Sequence, residues 1–308
     1  MGLTNFPNGV SSFGMPVVGT GEETLTTGNV FFVDSGATGT GADTPASGTK
    51  TNPFLTIDYA ISQCTANNGD IIFVMPGHSE DPTTSITMDV AGVWIRGIGW
   101  GNDRPTVTFG ATGAEVAMSA ASTRISNIVF DLGTVATTVT NCFNITAAGC
   151  IVEKCEIKLH ATSQFTNFLT ATDVEDVVIR NNRFFGLHTA SGTSGIVVDG
   201  CDQIQIYGNH VSGHFGEHAL DNTTPASADE ILRAFIAGNI IENKSSTGGD
   251  LAVEMDANAT GVLAYNLVAT GLDFEAGFTP GNVSLWENYM WDADDTSGAI
   301  IPTTLSTS

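Results

Sequence analysis

The chain has 308 residues, 42% of them hydrophobic, with 33 Asp and Glu against 10 Lys and Arg and a formal charge of −23. That length and apolar content suit one or two folded domains and exclude wholesale disorder. The acidic excess argues against nucleic acid as a partner, since phosphate binding needs clustered cations, and no run approaches the ~20 apolar residues of a membrane span.

Residues 1–28 differ from the rest of the chain. Asn5-Phe6-Pro7-Asn8-Gly9 is turn chemistry, because Pro fixes φ and Asn-Gly accepts positive φ. Phe13, Met15, Pro16, Val17 and Val18 come next without helix or strand period, so Phe6, Pro7 and these residues read as an extended arm that docks on a partner. No basic region followed by an apolar run opens the chain, so no signal peptide is expected.

A strand is predicted from Asn29 to Asp34, then a loop rich in Gly, Ser and Thr to about Thr51. Phe54, Ile57, Ala60, Ile61 and Cys64 recur at i, i+3 and i+4, which predicts a helix ended by Asn67-Asn68-Gly69. Asp70 to Met75 reads as a buried strand stopped by Pro76-Gly77.

From there to residue 292 the pattern repeats. Val177-Val178-Ile179-Arg180-Asn181-Asn182 recurs 27 residues on as Ile204-Gln205-Ile206-Tyr207-Gly208-Asn209. Steps of 30, 27 and 22 lead on to Asn239, Asn266 and Asn288, each with the same apolar flanks. Ile151 to Ile157, Ile125 to Phe130 and Val93 to Ile98 extend the repeat backwards without the asparagine. About eight coils are expected. Short alternating strands bury a face only when coils stack, which predicts an all-β parallel solenoid with three strands per turn. Asn182, Asn209, Asn239, Asn266 and Asn288 would form one corner ladder, bonding the turn and the next amide. The expected organisation is an arm over 1–28, a β-helix over 29–292 and a tail over 293–308, in which Ala299-Ile300-Ile301-Pro302 can form a last strand.

The segments Phe32-Val33-Asp34-Ser35-Gly36, Asn52-Pro53-Phe54-Leu55-Thr56-Ile57 and Gly69 through His78 resemble the opening of pectate-lyase-like right-handed β-helix proteins. The resemblance covers residues 30 to about 292 and implies that the helix caps the solenoid. Thr4 to Gly14 resembles N-termini of phage structural proteins such as head decoration proteins or fibres. That resemblance implies a virion location after synthesis in the host cytoplasm, a capsid or tail protein as partner, and a homotrimer.

Chemistry is sparse in the linear sequence. Cys64, Cys142, Cys150, Cys155 and Cys201 are odd in number and form no CxxC pair, so free thiols and no zinc site are expected. Gly213-His214-Phe215-Gly216 is a broken form of a pectin-hydrolase motif, and Asp294-Asp295 falls in the tail. A lyase base in a recognisable context is not found. Asp199, Asp202, His214, Glu217, His218 and Asp221 form the best candidate groove for a glycan or a cation. His78 and His188 read as ordinary surface residues. Trp94, Trp100, Trp286 and Trp291 could stack on sugars, but aromatics at coil edges more often pack. The sequence thus favours a non-catalytic structural virion protein without cofactor or metal. The alternative is a tailspike-like polysaccharide-degrading enzyme or glycan-binding module.

Overall fold

The computed structural model describes residues 10–12, 15–17, 26–35, 41–133, 139–160, 165–187, 192–222, 233–271, 277–291 and 299–301. From Val30 onward the chain winds into a parallel β-solenoid with three sheets, and a separate two-stranded sheet stands before it. Sheet 1 holds ten strands, from Val30–Val33 to Ser284–Trp286. Sheet 2 also holds ten, from Ser79–Glu80 to Ala299–Ile301, and sheet 3 holds eight, from Ile86–Met88 to Phe278–Thr279. Each coil visits sheets 1, 2 and 3 in turn, so the chain meets itself about one repeat later.

The repeat sets the register. Ile95, Ile125, Val152, Ile179, Ile206 and Ile236 stack in one inward column of sheet 1, none more than 1% exposed. Their neighbours along each strand point outward, as the two-residue period requires. Each such buried side chain stabilises by ~1.5–3 kcal/mol. Rings fill the interior further along: Phe130 meets Phe143 edge-on at 4.8 Å, and Phe168 meets Phe215 at 5.2 Å.

The corner between sheets 1 and 2 carries the asparagine ladder. Asn182, Asn209, Asn239, Asn266 and Asn288 are all buried. Each accepts at Oδ1 from the backbone N–H one coil below: Cys155 to Asn182 at 2.9 Å, Asn182 to Asn209 at 3.0 Å, Asn209 to Asn239 at 2.9 Å, Asn239 to Asn266 at 2.9 Å and Asn266 to Asn288 at 3.0 Å. Left-handed geometry falls on the residue before each ladder asparagine, not on the asparagine itself. Asn181, Gly208, Gly238, Tyr265 and Glu287 have φ between 46° and 67°.

The helix α1 is shorter than its apolar spacing predicts, Ile57–Ser62. Phe54 is drawn into a parallel bridge with Val33, and its N–H bonds the Phe32 carbonyl at 2.8 Å, so it cannot join the helix. Thr56 caps α1 by accepting from the Tyr59 N–H, and Glu80 accepts the Ile57 N–H at 3.0 Å. Ile57, Ala60 and Ile61 face the core beside the first coils. Asp70 ties the region together, accepting from the backbone of Asn29 at 2.6 Å and of Thr65 at 2.7 Å.

One expectation changes at the N-terminal end. Within the N-terminal stretch Val10–Ser12 and Met15–Val17 pair antiparallel, Val10 opposite Val17, so this part is a short hairpin and not a single extended run. Phe6, Pro7, Phe13 and Val18 lie outside the described residues. The last strand allowed for within the tail is present, Ala299–Ile301, antiparallel to Asn288–Trp291 in sheet 2.

Candidate functional site

Sheet 3 brings the chemistry together. Its strands Ser194–Asp199, Leu220–Asn222 and Val253–Met255 lie side by side, with Val197, Asp221 and Glu254 in register. Their neighbours Ile196, Leu220 and Val253 belong to the core, so Asp221 and Glu254 occupy the outer face. Ser194 donates its hydroxyl to Asp221 Oδ2 at 2.7 Å. His218, on the loop entering the middle strand, lies 2.8 Å through Nε2 from Glu254 Oε2. Its Nδ1 accepts the Leu251 N–H at 3.2 Å, which places the ring proton on Nε2. Polar atoms of Glu217, His218 and Asp221 all lie within 4.8 Å of one another. Glu217 is exposed, whereas His218 and Asp221 are buried.

Both ring nitrogens are thus engaged, and the cluster offers carboxylate oxygens above all. Such a donor set suits a hard cation or the hydroxyls of a sugar.

Side chains from the neighbouring coil hold the loop. Asn243, fully buried, donates through Nδ2 to the carbonyls of Phe215, Glu217 and Leu251 at 3.0–3.2 Å and accepts the Phe215 N–H at 3.0 Å. Phe215 plugs the core, and a Cβ on Gly213 would sit 2.7 Å from its ring, so the glycine is a packing requirement. The broken Gly-His-Phe-Gly motif is therefore an anchor that fixes where Glu217 and His218 emerge.

Of the sequence candidates, Glu217, His218 and Asp221 come together. Asp199 lies on the same sheet face, two residues along from Val197. His214 precedes the cluster on its loop, its backbone bonded to the Leu187 carbonyl at 2.8 Å. Asp202 does not join: it sits in the turn towards sheet 1, accepting from Arg233 Nε at 2.9 Å. The Arg233 guanidinium holds that carboxyl below its usual range. Ser194, Asn243 and Glu254 escape linear reading. Glu254 stands in the pattern Val253-Glu254-Met255 one coil after Leu220-Asp221-Asn222, and coil periodicity is the signal that finds it.

His78 corrects another expectation. It is 1% exposed, so it is no surface residue. Its Nδ1 lies 3.0 Å from the Ser35 N–H that donates to it, and its Nε2 is 3.1 Å from Glu80 Oε2. The Ser35 hydroxyl reaches Nδ1 at 3.1 Å but also bonds the Ser79 carbonyl. With the Nδ1 lone pair taken by a backbone N–H, the Ser35–His78–Glu80 series is a clamp joining the exit of Val30–Val33 to the first coil and to α1. His188 lies outside the described residues.

No family model and no curated protein matches the chain. Similar solved structures exist. The pectin methylesterase of Aspergillus niger in deglycosylated form shares 14% identity over 88% of both chains, with a TM-score of 0.48. A rhamnogalacturonan lyase shares 11% identity over 85% of this chain and 74% of its own, TM-score 0.42. ORF18 of Geobacillus virus E2 shares 12% over 88% of this chain and 63% of its own, TM-score 0.28. At these identities the likeness is one of fold.

Against the expectation of a non-catalytic chain, two of these structures are enzymes by name, a methylesterase and a lyase, and what they share with this chain is the fold. A solenoid can assemble a site from side chains on successive coils. A motif search along the chain, which found no carboxyl pair, misses Glu254 beside Asp221.

Proposed function

We propose that this chain is a polysaccharide-active or polysaccharide-binding β-solenoid whose site is the Glu217–His218–Asp221–Glu254 cluster on sheet 3. The observation that carries the reading is the convergence of Glu217, His218 and Asp221 within 4.8 Å, with Glu254 held against His218 at 2.8 Å. Cleavage of a glycosidic bond uses two carboxyl groups, about 5–5.5 Å apart when configuration is retained. Here Glu217 faces water while Asp221 is shielded by the sheet and accepts the Ser194 hydroxyl at 2.7 Å. Along the same face Asn144, Thr170 and Val197 lead up to Asp221 at steps of ~4.8 Å, a track on which an extended sugar chain can lie.

The test is incubation with a panel of acidic and neutral bacterial surface polysaccharides, read as new reducing ends, unsaturated products, and retention on immobilised glycan. Product or retention is expected, and its loss in Asp221→Asn and Glu217→Gln variants with unchanged unfolding midpoints. A wild-type chain inert across the panel, or variants equal to wild type, would overturn the reading.

Location on a virion is a second reading and concerns place, not chemistry. Its support is the apolar N-terminal stretch with Phe6, Phe13, Met15, Val17 and Val18, suited to docking on a capsid or tail protein. Deleting residues 2–20 should leave the solenoid folded, since the coils begin later, and abolish incorporation into particles. Wild-type occupancy of the truncated chain would remove the arm as anchor.

A further inference from the structure

Cations are scarce in this chain, yet three of its six arginines share one face. On the outside of sheet 1 one row runs Arg96, Ser126, Glu153, Arg180, Tyr207, and the row beside it runs Trp94, Arg124, Ile151, Val178, Gln205. Glu153 is the one carboxylate in these rows, and it is spent on Arg124 and Arg180, which both donate to it. Arg180 also reaches the Tyr207 hydroxyl at 3.0 Å.

Arg96 is left over. Its Nη1 is shielded from water and finds no acceptor. A shielded donor without a partner is unfavourable, and a ligand that supplies the acceptor relieves it. The group is also held in place. Its guanidinium carbon lies 5.2 Å from the centre of the Trp94 ring, and that of Arg124 lies 4.2 Å from the same centre. Trp94 is fixed in turn, since its Nε1 donates to the buried Ser126 hydroxyl at 2.9 Å.

From this we infer that Arg96 is the binding group of a carboxylate site on the outer face of sheet 1, with Trp94 as its backing and Arg124 beside it. The carboxylate is free or borne on a sugar. The site is separate from the sheet 3 cluster and does not depend on it.

Charge selects an anion. Three arginines against one carboxylate make this face positive in a molecule of formal charge −23, so an anion is drawn here and repelled elsewhere. Geometry selects the carboxylate. One planar fork matches the two oxygens of a carboxylate. A phosphate calls for several convergent donors, and here Arg124 and Arg180 are already turned to Glu153. A nucleic acid needs cations along a run of phosphates, and these rows offer one unspent fork. A peptide strand adds to an open sheet edge, whereas every strand from Trp94–Gly97 to Gln205–Tyr207 is paired on both sides.

Calorimetric titration of the full chain with sodium acetate, sodium glucuronate, glucose, inorganic phosphate and oligoglutamate tests this. The carboxylates should bind one to a chain, and glucose should not. Binding should shift the part of the tryptophan emission that Trp94→Phe lacks. Arg96→Gln should lower the affinity at least tenfold, and so should Arg96→Lys, because an ammonium has no fork. Far-ultraviolet spectra check that both variants fold. Arg233→Gln, in the distant pair with Asp202, should bind as wild type. Asp221→Asn should do so too, which keeps this result apart from the fate of the sheet 3 reading. Glucuronate binding tighter than acetate supports a carboxylate borne on a sugar, and equal binding supports a free one. The inference is overturned if no carboxylate binds, if phosphate binds as tightly, if oligoglutamate binds in place of both, or if Arg96→Gln equals wild type.

Discussion

The side-chain Nδ2 of Asn209 donates to Oδ1 of Asn239 at 3.0 Å, and the same oxygen accepts the backbone N–H of Asn209 at 2.9 Å. One amide thus closes a turn and joins two coils, while Asn209 Nδ2 also reaches the Ile179 carbonyl at 2.8 Å. Replacing Asn209 by Leu leaves buried backbone groups without partners. The expected cost is ~1–3 kcal/mol for a lost bond of this kind. The denaturant midpoint of Asn209→Leu and of Asn239→Leu reads it, and equality with wild type would refute a structural ladder.

The ladder was legible because its spacing of 27, 30, 27 and 22 residues kept the same apolar flanks each time. The left-handed residue before it was not, since Tyr265 and Glu287 carry no turn signature of their own. The site divides in the same way. Glu217, His218 and Asp221 stand close in sequence and were visible together. Glu254 lies one irregular coil further on, and only the strand register brings it to His218. The helix was overextended because periodicity cannot see that Phe54 pairs with Val33.

A second prediction concerns Glu153 on sheet 1. It is 1% exposed, and Arg124 Nε donates to its Oε1 at 3.0 Å while Arg180 Nε donates to its Oε2 at 2.7 Å. Arg124 also covers the Trp94 ring, its guanidinium carbon 4.2 Å from the ring centre. Removing a buried partner costs ~3–5 kcal/mol when the remaining charge stays dry. Both arginines keep some contact with water, which brings the expected loss for Glu153→Ala to about 2–3 kcal/mol. Chemical unfolding measures the loss, and the fluorescence of Trp94 should shift in the folded variant as Arg124 is released. A variant within a few tenths of a kcal/mol of wild type would show that the arginines do not depend on Glu153.

Acid sensitivity should depend on Asp70. Burial pushes this carboxyl up, but hydrogen bonds from Thr65, Asn29 and Asn68 outweigh it and hold the group below its usual value. A carboxyl depressed in the folded state adds stability above its unfolded value near ~4 and loses it as pH falls through the folded value. Asp70→Asn should therefore be less stable than wild type at neutral pH, and the two unfolding midpoints should converge in the acid range below ~4. A constant gap across the whole range would mean that packing, and not ionisation, sets the effect.

The cysteines give the last prediction. All five are free, and Cys142, Cys150, Cys155 and Cys201 are buried. Burial pushes the thiols of Cys64 and Cys155 up to about 12 and that of Cys201 to about 11, and raises Cys142 and Cys150 as well. The thiolate is the reactive form, so at mildly alkaline pH almost none is available in the folded chain. A charged aromatic disulfide reagent should react slowly with native protein and at once with five equivalents after unfolding. Cys64, half-buried beside α1, should lead the slow phase, because local opening exposes it before the coil interior. Cys64→Ser should remove that leading step and leave the other four rates unchanged. A rapid native reaction of two or more equivalents would contradict a solenoid core closed over Cys142, Cys155 and Cys201.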